Sequence, residues 1–481
     1  MSAPAEFPLS LTPTPFFLVS RFYCMALIAS ISGIRGTLGG PPGENLTPQH
    51  IVAFAAAYGS WLKTQSVPHK VVLGRDARPS GPMLTQLVAA TLQALGLEVL
   101  DLGLTTTPTT EMAVTHLQAG GGIILTASHN PVEWNALKLL NERGEFVSAA
   151  DGKAILNILN AQQYSYVPVA QLGEVHQAEG LLEHHIETIL AHPLVNTEAI
   201  RTAKFRVGVD AVNSSGGVAL PALLERLGVA HVECINCEPN GVFAHNPEPL
   251  AIHLMETCAR VRDSKLDLCL VVDPDVDRLA LIDEKGQMIG EEYTLVGVAD
   301  YLLGKTPGPV VNNLSSSRAL YDIAQQHGVK CTSAAVGEVN VVAEMKAQKA
   351  VLGGEGNGGV IVPDLHYGRD ALIGAALFLA LLAERQKPLS ELRATWPSYF
   401  MAKGKIPLNP QLDFEQAAEK LKAAFPEAQS NTVDGLKLDL PQGWIHVRKS
   451  NTEPILRVYT EAGSQAEADK LAQQAQDAVL G

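Results

Sequence analysis

No run of 18 or more apolar residues occurs in this chain, so a membrane-spanning helix is not expected. Basic residues are in the minority: 36 Lys and Arg face 50 Asp and Glu, and the net charge of −14 argues against nucleic acid as the main partner. A phosphorylated small molecule stays open, because local Arg and Lys clusters decide that. Six cysteines do not make a disulfide framework. Cys234 and Cys237 form a C-x-x-C, but no second such pair and no paired histidines complete a zinc site. Cys258, Cys269 and Cys331 lie in apolar surroundings, so the thiols read as structural, in a reducing cytoplasm. No basic segment precedes the short apolar patch "FFLV", which makes residues 1–24 an unstructured or mis-started extension rather than a secretory leader. Low-complexity segments are missing as well.

What is present describes a folded α/β protein. A chain of 481 residues exceeds one ordinary core and suggests three or four domains. Short Val/Ile/Leu runs end repeatedly in polar loops: "KVVLGRDARPSG", "GIILTASHNP", "FRVGVDAVNSSGG", "LDLCLVVDPDVDR", "PVVNNLSSSR" and "AVLGGEGNGG". Such runs suit strands buried on both faces, as in parallel sheets. Between them, stretches such as "TPQHIVAFAAAYGSWLKTQ" repeat apolar residues at helical spacing. Breaks are expected near 170, 287 and 397, giving domains 25–170, 171–287, 288–397 and 398–481. The last has a different character, with a helix, a strand pair and a final helix, as in a small α+β domain.

Four loops carry chemistry. "TASHNP" places Ser128, His129 and Asn130 straight after a buried strand, with Lys138 ten residues past the serine. This is either a polar turn or a serine with a base or cation at hand. "DPDVDR" sets Asp273, Asp275 and Asp277 at alternate positions. In a strand these would lie on one face about 6.5 Å apart, and two carboxylates about 4 Å apart repel by roughly 4 kcal/mol at an effective dielectric of 20. That crowding calls for a cation, and oxygen-only ligands favour Mg²⁺. Arg278 follows, suited to a phosphate oxygen. "GEGNGG" offers Glu355, Gly356 and Asn357 in a loop that lets backbone approach a ligand, and it lacks the lysine of a nucleotide-binding P-loop. "HVRKSNTEPILRVY" gathers Arg448, Ser450, Asn451, Thr452 and Arg457 around a turn, an inventory that matches an oxyanion. Arg35 in "SGIRGT" also suits phosphate contact, while "GRDARPSG" has the simpler reading of an Asp–Arg brace.

In this order the motifs resemble the α-D-phosphohexomutases over about residues 29 to 475. The resemblance implies four domains around a central cleft, the first three of one α/β topology. It implies that Ser128 is carried as a phosphoserine and that Mg²⁺ is held by Asp273, Asp275, Asp277 and a phosphoserine oxygen. A sugar bisphosphate would be both intermediate and activator. Lys138, with His129 as the second candidate, would move the proton of the sugar hydroxyl. Glu355 and Asn357 would read the sugar, and Arg448, Ser450, Asn451 and Thr452 would hold the nonreacting phosphate.

The sugar loop "GEGNGG" departs from the "GEMSGH" and "GEESGH" of mannose and glucose mutases and looks like that of the glucosamine phosphate subgroup. In "VGEVN", Glu338 stands where many relatives carry histidine, and an acid there suits an ammonium group. The expected reaction interconverts glucosamine 6-phosphate and glucosamine 1-phosphate in a cytoplasmic monomer or homodimer. The alternatives are a mannose or glucose phosphate mutase with the same mechanism, a haloacid-dehalogenase-type phosphatase with Asp273 as nucleophile, and a silent sugar-phosphate binder.

Overall fold

The computed structural model describes residues 27–30, 33–41, 43–408, 413–449 and 455–480. The expectation for residues 1–24 therefore lies outside the described residues, as do Ser450, Asn451 and Thr452. Within them, four sheets follow one another along the chain.

The first sheet takes the order Ile28–Ser30, Gly33–Thr37, Trp134–Leu140, Gly121–Leu125, Lys70–Arg75, Glu98–Leu104, Val175–Gln177. The second runs Leu279–Asp283, Leu268–Val272, Arg206–Asp210, His231–Ile235, and the third Gly359–Ile361, Leu352–Glu355, Val310–Asn313, Cys331–Ala334. Allowing for the extra edge strands of the first, all three share one plan. Three parallel strands come first, and the central one of the resulting sheet then turns back into an antiparallel partner. These sheets are mixed rather than purely parallel. The physical reason is local, since a short polar loop can return a strand antiparallel where a parallel return needs a helical crossover.

The three hairpin loops are the three chemical motifs. "TASHNP" joins Gly121–Leu125 to Trp134–Leu140, "DPDVDR" joins Leu268–Val272 to Leu279–Asp283, and the "GNG" of the glycine-rich stretch joins Leu352–Glu355 to Gly359–Ile361. Every residue of Gly121–Leu125 and Leu268–Val272 is buried, so the strands anchor their loops from both faces. Because Val175–Gln177 pairs with Glu98–Leu104, the first sheet reaches past the expected break at 170.

The second and third sheets share one apolar core, which joins Val207, Leu268, Val310 and Leu352 around helix Ala371–Arg385. That helix is buried almost all round, from Ala371 through Ala383, as its unbroken aliphatic sequence requires. The fourth sheet, Phe400–Pro407, Ile455–Ala462, Gly443–Lys449, Leu436–Leu440, Gln429–Asn431, is wholly antiparallel and has its own core against the final helix Gln465–Leu480. It docks on the third domain through Arg318, whose guanidinium donates to the carbonyls of Leu440 and Gly443, and through Ser315 against His446. Among the described residues no helix is long and apolar enough to cross a membrane.

Candidate active site

Ser128 sits at the tip of its hairpin with φ 49°, a left-handed conformation that a non-glycine residue adopts at a cost of about 1 kcal/mol or more. A fully buried arginine over-determines that turn. Arg78 pairs with Asp76 at 3.0 Å and donates to the carbonyls of Ser128, Asn130, Pro131 and Trp134 at 2.5–3.0 Å. Thr126 donates to the same Asp76 at 2.6 Å and accepts from the amide of Ser128 at 3.0 Å. "GRDARPSG" is thus a brace, and what it braces is the serine loop. Arg35 reaches the loop from its own strand, donating to Asn130 Oδ1 at 3.1 Å.

The metal loop meets this hairpin from the second sheet. Ser128 Oγ donates to Asp273 Oδ2 at 2.7 Å, and His129 Nδ1 lies 3.4 Å from the same hydroxyl. Lys138 does not take the serine as its partner. Its Nζ bonds Asp275 Oδ2 at 2.7 Å and lies 3.5 Å from Asp277 Oδ2, because the hairpin register puts it opposite Ile124 and aims it at the neighbouring loop. Burial works against its ammonium, but Asp275 and Asp277 hold its pKa above the ordinary value. His129 goes the other way: burial, with Arg278 and Arg35 nearby, pushes its pKa well down, so the ring is neutral.

Asp273, Asp275 and Asp277 are fully buried, and one carboxylate oxygen from each lies within 4.8 Å of the other two. Asp275 has Oδ2 held by Thr107 and Lys138, and Asp277 has Oδ2 held by Arg369, while Oδ1 of each is buried without a hydrogen bond, that of Asp277 lying 3.8 Å from Arg278 Nε. An orphaned buried carboxylate oxygen costs several kcal/mol unless something cationic meets it. Two such oxygens beside Asp273 fit a hard divalent ion bound through oxygen. Burial and its two neighbours push the Asp273 carboxyl well above the usual range, which is the same electrostatic demand seen from the proton's side. Arg278 Nε is buried without a hydrogen bond and makes only long ion-pair contacts, 4.0 Å to Asp273 and 3.8 Å to Asp277.

The sugar loop lies across from this centre. Glu355 is only 4 % exposed, and its oxygens accept from Arg369 at 2.7 Å, Asn313 at 2.8 Å and the Gly337 amide at 3.1 Å. Asn357 accepts from the Gly359 amide, and the Gly356 amide donates to Ser316. A Cβ on Gly356 would collide with the half-buried Glu292 carboxylate, so this glycine lets the loop close over that acid. Glu338 differs from its expected role. Both its oxygens accept from Arg369, at 3.1 Å each, so a cation of the protein itself already meets the acid that suited an ammonium. In the fourth domain Arg448 and Arg457 stand directly opposite on adjacent strands, and Arg448 Nε is buried without a partner. Like charges facing across a strand pair favour an intervening anion.

Three contributors escape motif reading. Thr107 ties the first domain to the metal loop through Asp275, Asn313 fixes Glu355, and Arg369 touches three carboxylates. The "GRD" that holds Arg369 sits in an unremarkable loop, and only its lone basic charge before a helix-capping Asp370 hinted at more.

Comparison with known proteins agrees with this geometry domain by domain. Four family models match in order: phosphoglucomutase/phosphomannomutase α/β/α domain I over residues 28–165, domain II over 183–286, domain III over 291–399, and the C-terminal domain over 411–478. A phosphoglucomutase/phosphomannomutase of Thermococcus kodakarensis is 34% identical over 90% of this chain and 95% of its own length. A phosphoglucosamine/phosphogalactosamine mutase of Sulfurisphaera tokodaii is 29% identical over 95% of this chain and all of its own. The crystal structure of a phosphoglucomutase/phosphomannomutase family protein from Burkholderia thailandensis superposes with a TM-score of 0.79 at 26% identity, covering 93% of this chain and 95% of that one. The chain belongs to the phosphoglucomutase/phosphomannomutase family. It is a phosphohexomutase, an enzyme that moves a phosphoryl group within a sugar phosphate.

Proposed function

We propose that the enzyme interconverts glucosamine 6-phosphate and glucosamine 1-phosphate through a phosphorylated Ser128 and a sugar bisphosphate. The observation that carries this reading is the convergence on one strained serine of Asp273, two carboxylate oxygens without a hydrogen bond and the buried Arg278 Nε. A sugar hydroxyl attacks the phosphorus of phosphoserine, the bond to Ser128 Oγ breaks, and the bisphosphate turns over to return its other phosphoryl group to the serine. Mg²⁺, held by the three aspartates and a phosphoserine oxygen, would offset the charge on the phosphoryl group. Arg278 meets the transferring oxygens from its buried position. Lys138, kept as an ammonium by Asp275 and Asp277, supplies positive charge and a proton donor, while the neutral His129 stands beside the serine as acceptor. Arg448 and Arg457, with Ser450, Asn451 and Thr452, hold the phosphate that does not react.

The choice of sugar rests on the loop. "GEGNGG" lacks the serine and histidine of the mannose and glucose mutases, and the Sulfurisphaera relative is named for hexosamine phosphates. The Thermococcus relative is named for glucose and mannose, which keeps those sugars as the second reading. A cytoplasmic location belongs to the same proposal, supported by five free cysteines among the described residues. Phosphorus NMR with Mg²⁺ and a trace of sugar bisphosphate, comparing glucosamine, mannose and glucose 6-phosphates, tests it. A 1-phosphate signal should grow fastest from glucosamine. If mannose or glucose is faster, the sugar assignment fails and the mechanism stands.

A further inference from the structure

Among the described residues, Arg369 bonds both an aspartate of the metal loop, Asp277, and the acid of the sugar loop, Glu355. It is 8 % exposed, and its guanidinium donates through Nη2 to Asp277 Oδ2 at 2.6 Å, through Nη1 to Glu355 Oε2 at 2.7 Å, and through Nε to Glu338 Oε2 at 3.1 Å. Its own amide donates to Glu338 Oε1 at 3.1 Å, so backbone and side chain are pinned to one acid. Glu338 is in turn the first residue of helix Glu338–Gln348, and the following residue of the "GRD" loop, Asp370, caps Ala371–Arg385. A planar fork anchored this way cannot follow one carboxylate without moving the others.

We infer that Arg369 is a positioning residue that couples sugar recognition at Glu355 to metal binding at Asp277. Its grip on Asp277 Oδ2 selects which oxygen faces the metal, since Oδ1 of that residue is the buried atom without a hydrogen bond. Its grip on Glu355 leaves Asn313 and the Gly337 amide as the other constraints on the sugar-reading acid. A sugar hydroxyl that draws Glu355 toward the cleft therefore shifts the fork, and with it the metal-facing oxygen of Asp277. The coupling is reciprocal, so sugar phosphate should tighten metal binding by the factor by which metal tightens sugar. A lysine at this position keeps a charge but lacks the rigid planar fork that ties three carboxylates to one another, so it cannot carry the coupling.

This inference rests on the mutase reading of the cleft, and its test is chosen so that the two can fail separately. Mn²⁺ binding would be followed by electron paramagnetic resonance, first with the metal alone and then with saturating glucosamine 6-phosphate or glucose 6-phosphate. In the unmodified enzyme one of the sugars should tighten Mn²⁺ by about tenfold. Arg369→Met and Arg369→Lys should both lose that tightening, and Arg369→Lys should keep Mn²⁺ binding without sugar to within about threefold. Should the methionine variant fail to fold, Glu355→Gln removes the sugar arm alone and should also lose the tightening, whereas Glu338→Gln should retain it. Tightening that survives in Arg369→Lys or Glu355→Gln overturns the coupling, as does its absence with both sugars in the unmodified enzyme. Which sugar gives the effect, and whether either is converted, reports on the mutase reading independently.

Discussion

Two buried acidic clusters meet at Arg369, and their oxygens are filled to different degrees. Asp273, Asp275 and Asp277 crowd three carboxylates onto one hairpin and leave two oxygens orphaned. Glu338 and Glu355 come from separate segments, and their oxygens are filled by Arg369, Asn313 and backbone amides. The first cluster is met in part by Lys138, Arg278 and Arg369 and still leaves two oxygens without a hydrogen bond. The second is completed by the chain itself. Acidic composition alone does not mark a metal site; the unfilled oxygen does.

The sharpest way to break this contrast is Asp273→Asn. It should lower turnover by about 10²–10³-fold, the scale seen when one group stabilising a developing charge is removed. It should also raise the melting temperature of the metal-free protein, because the neutral amide relieves repulsion that burial and the neighbouring aspartates impose. Calorimetry in a chelator checks the second half, and a lower melting temperature would refute the idea that this cluster is strained without its metal. Arg369→Met should act in the opposite sense. Removing the cation of a filled buried network leaves its carboxylates uncompensated and should destabilise the fold by about 3 kcal/mol in urea denaturation.

A smaller effect should come from outside both clusters. His366 lies 3.4 Å from Glu111 and 3.4 Å from Asp370, with the His185 ring edge-on beside it. Burial opposes its charge, yet the carboxylates of Asp370 and Glu111 raise its pKa to about 10. A histidine pKa raised in the fold stabilises fully below its unfolded value, near 6.5, and loses that contribution as pH climbs toward the folded value. Glu111, pushed up to about 8 by burial, adds in the same direction because its ionised form is disfavoured in the fold. Urea midpoints should therefore fall from about pH 4.5, where Glu111 begins to contribute, to about pH 10, and His366→Gln should flatten the upper part of the fall. A flat profile for the unmodified protein would contradict the network. The smallest effect is expected at the C-x-x-C: Cys234 is exposed, and Cys234→Ser should change stability by no more than about 0.5 kcal/mol and leave turnover unaltered.

Much of the site was legible because its chemistry is local. Three aspartates at alternate positions, and a serine after a buried run, announce themselves within a few residues. Their shared position at equivalent hairpins of three repeated sheets was not visible, since that depends on which strands pair. Mixed sheets replaced parallel ones for the same reason. Arg369 shows the harder limit: its partner Asp277 lies 92 positions away, and no spacing rule relates a lone arginine to a carboxylate in another domain. Lys138 was found by its spacing from Ser128, but its partners are the aspartates 137 and 139 positions on, a contact set by sheet register.

The central claim is that Ser128, and no aspartate, carries the phosphoryl group. It is tested most directly by charging the enzyme with ³²P-labelled glucosamine 1,6-bisphosphate, removing the free sugar by buffer exchange and mapping the label by peptide mass spectrometry, with Ser128→Ala alongside. The account predicts label on Ser128 that unlabelled glucosamine 6-phosphate removes into sugar phosphate, and neither label nor turnover in Ser128→Ala. Label on Asp273, or turnover that survives the substitution, would contradict it.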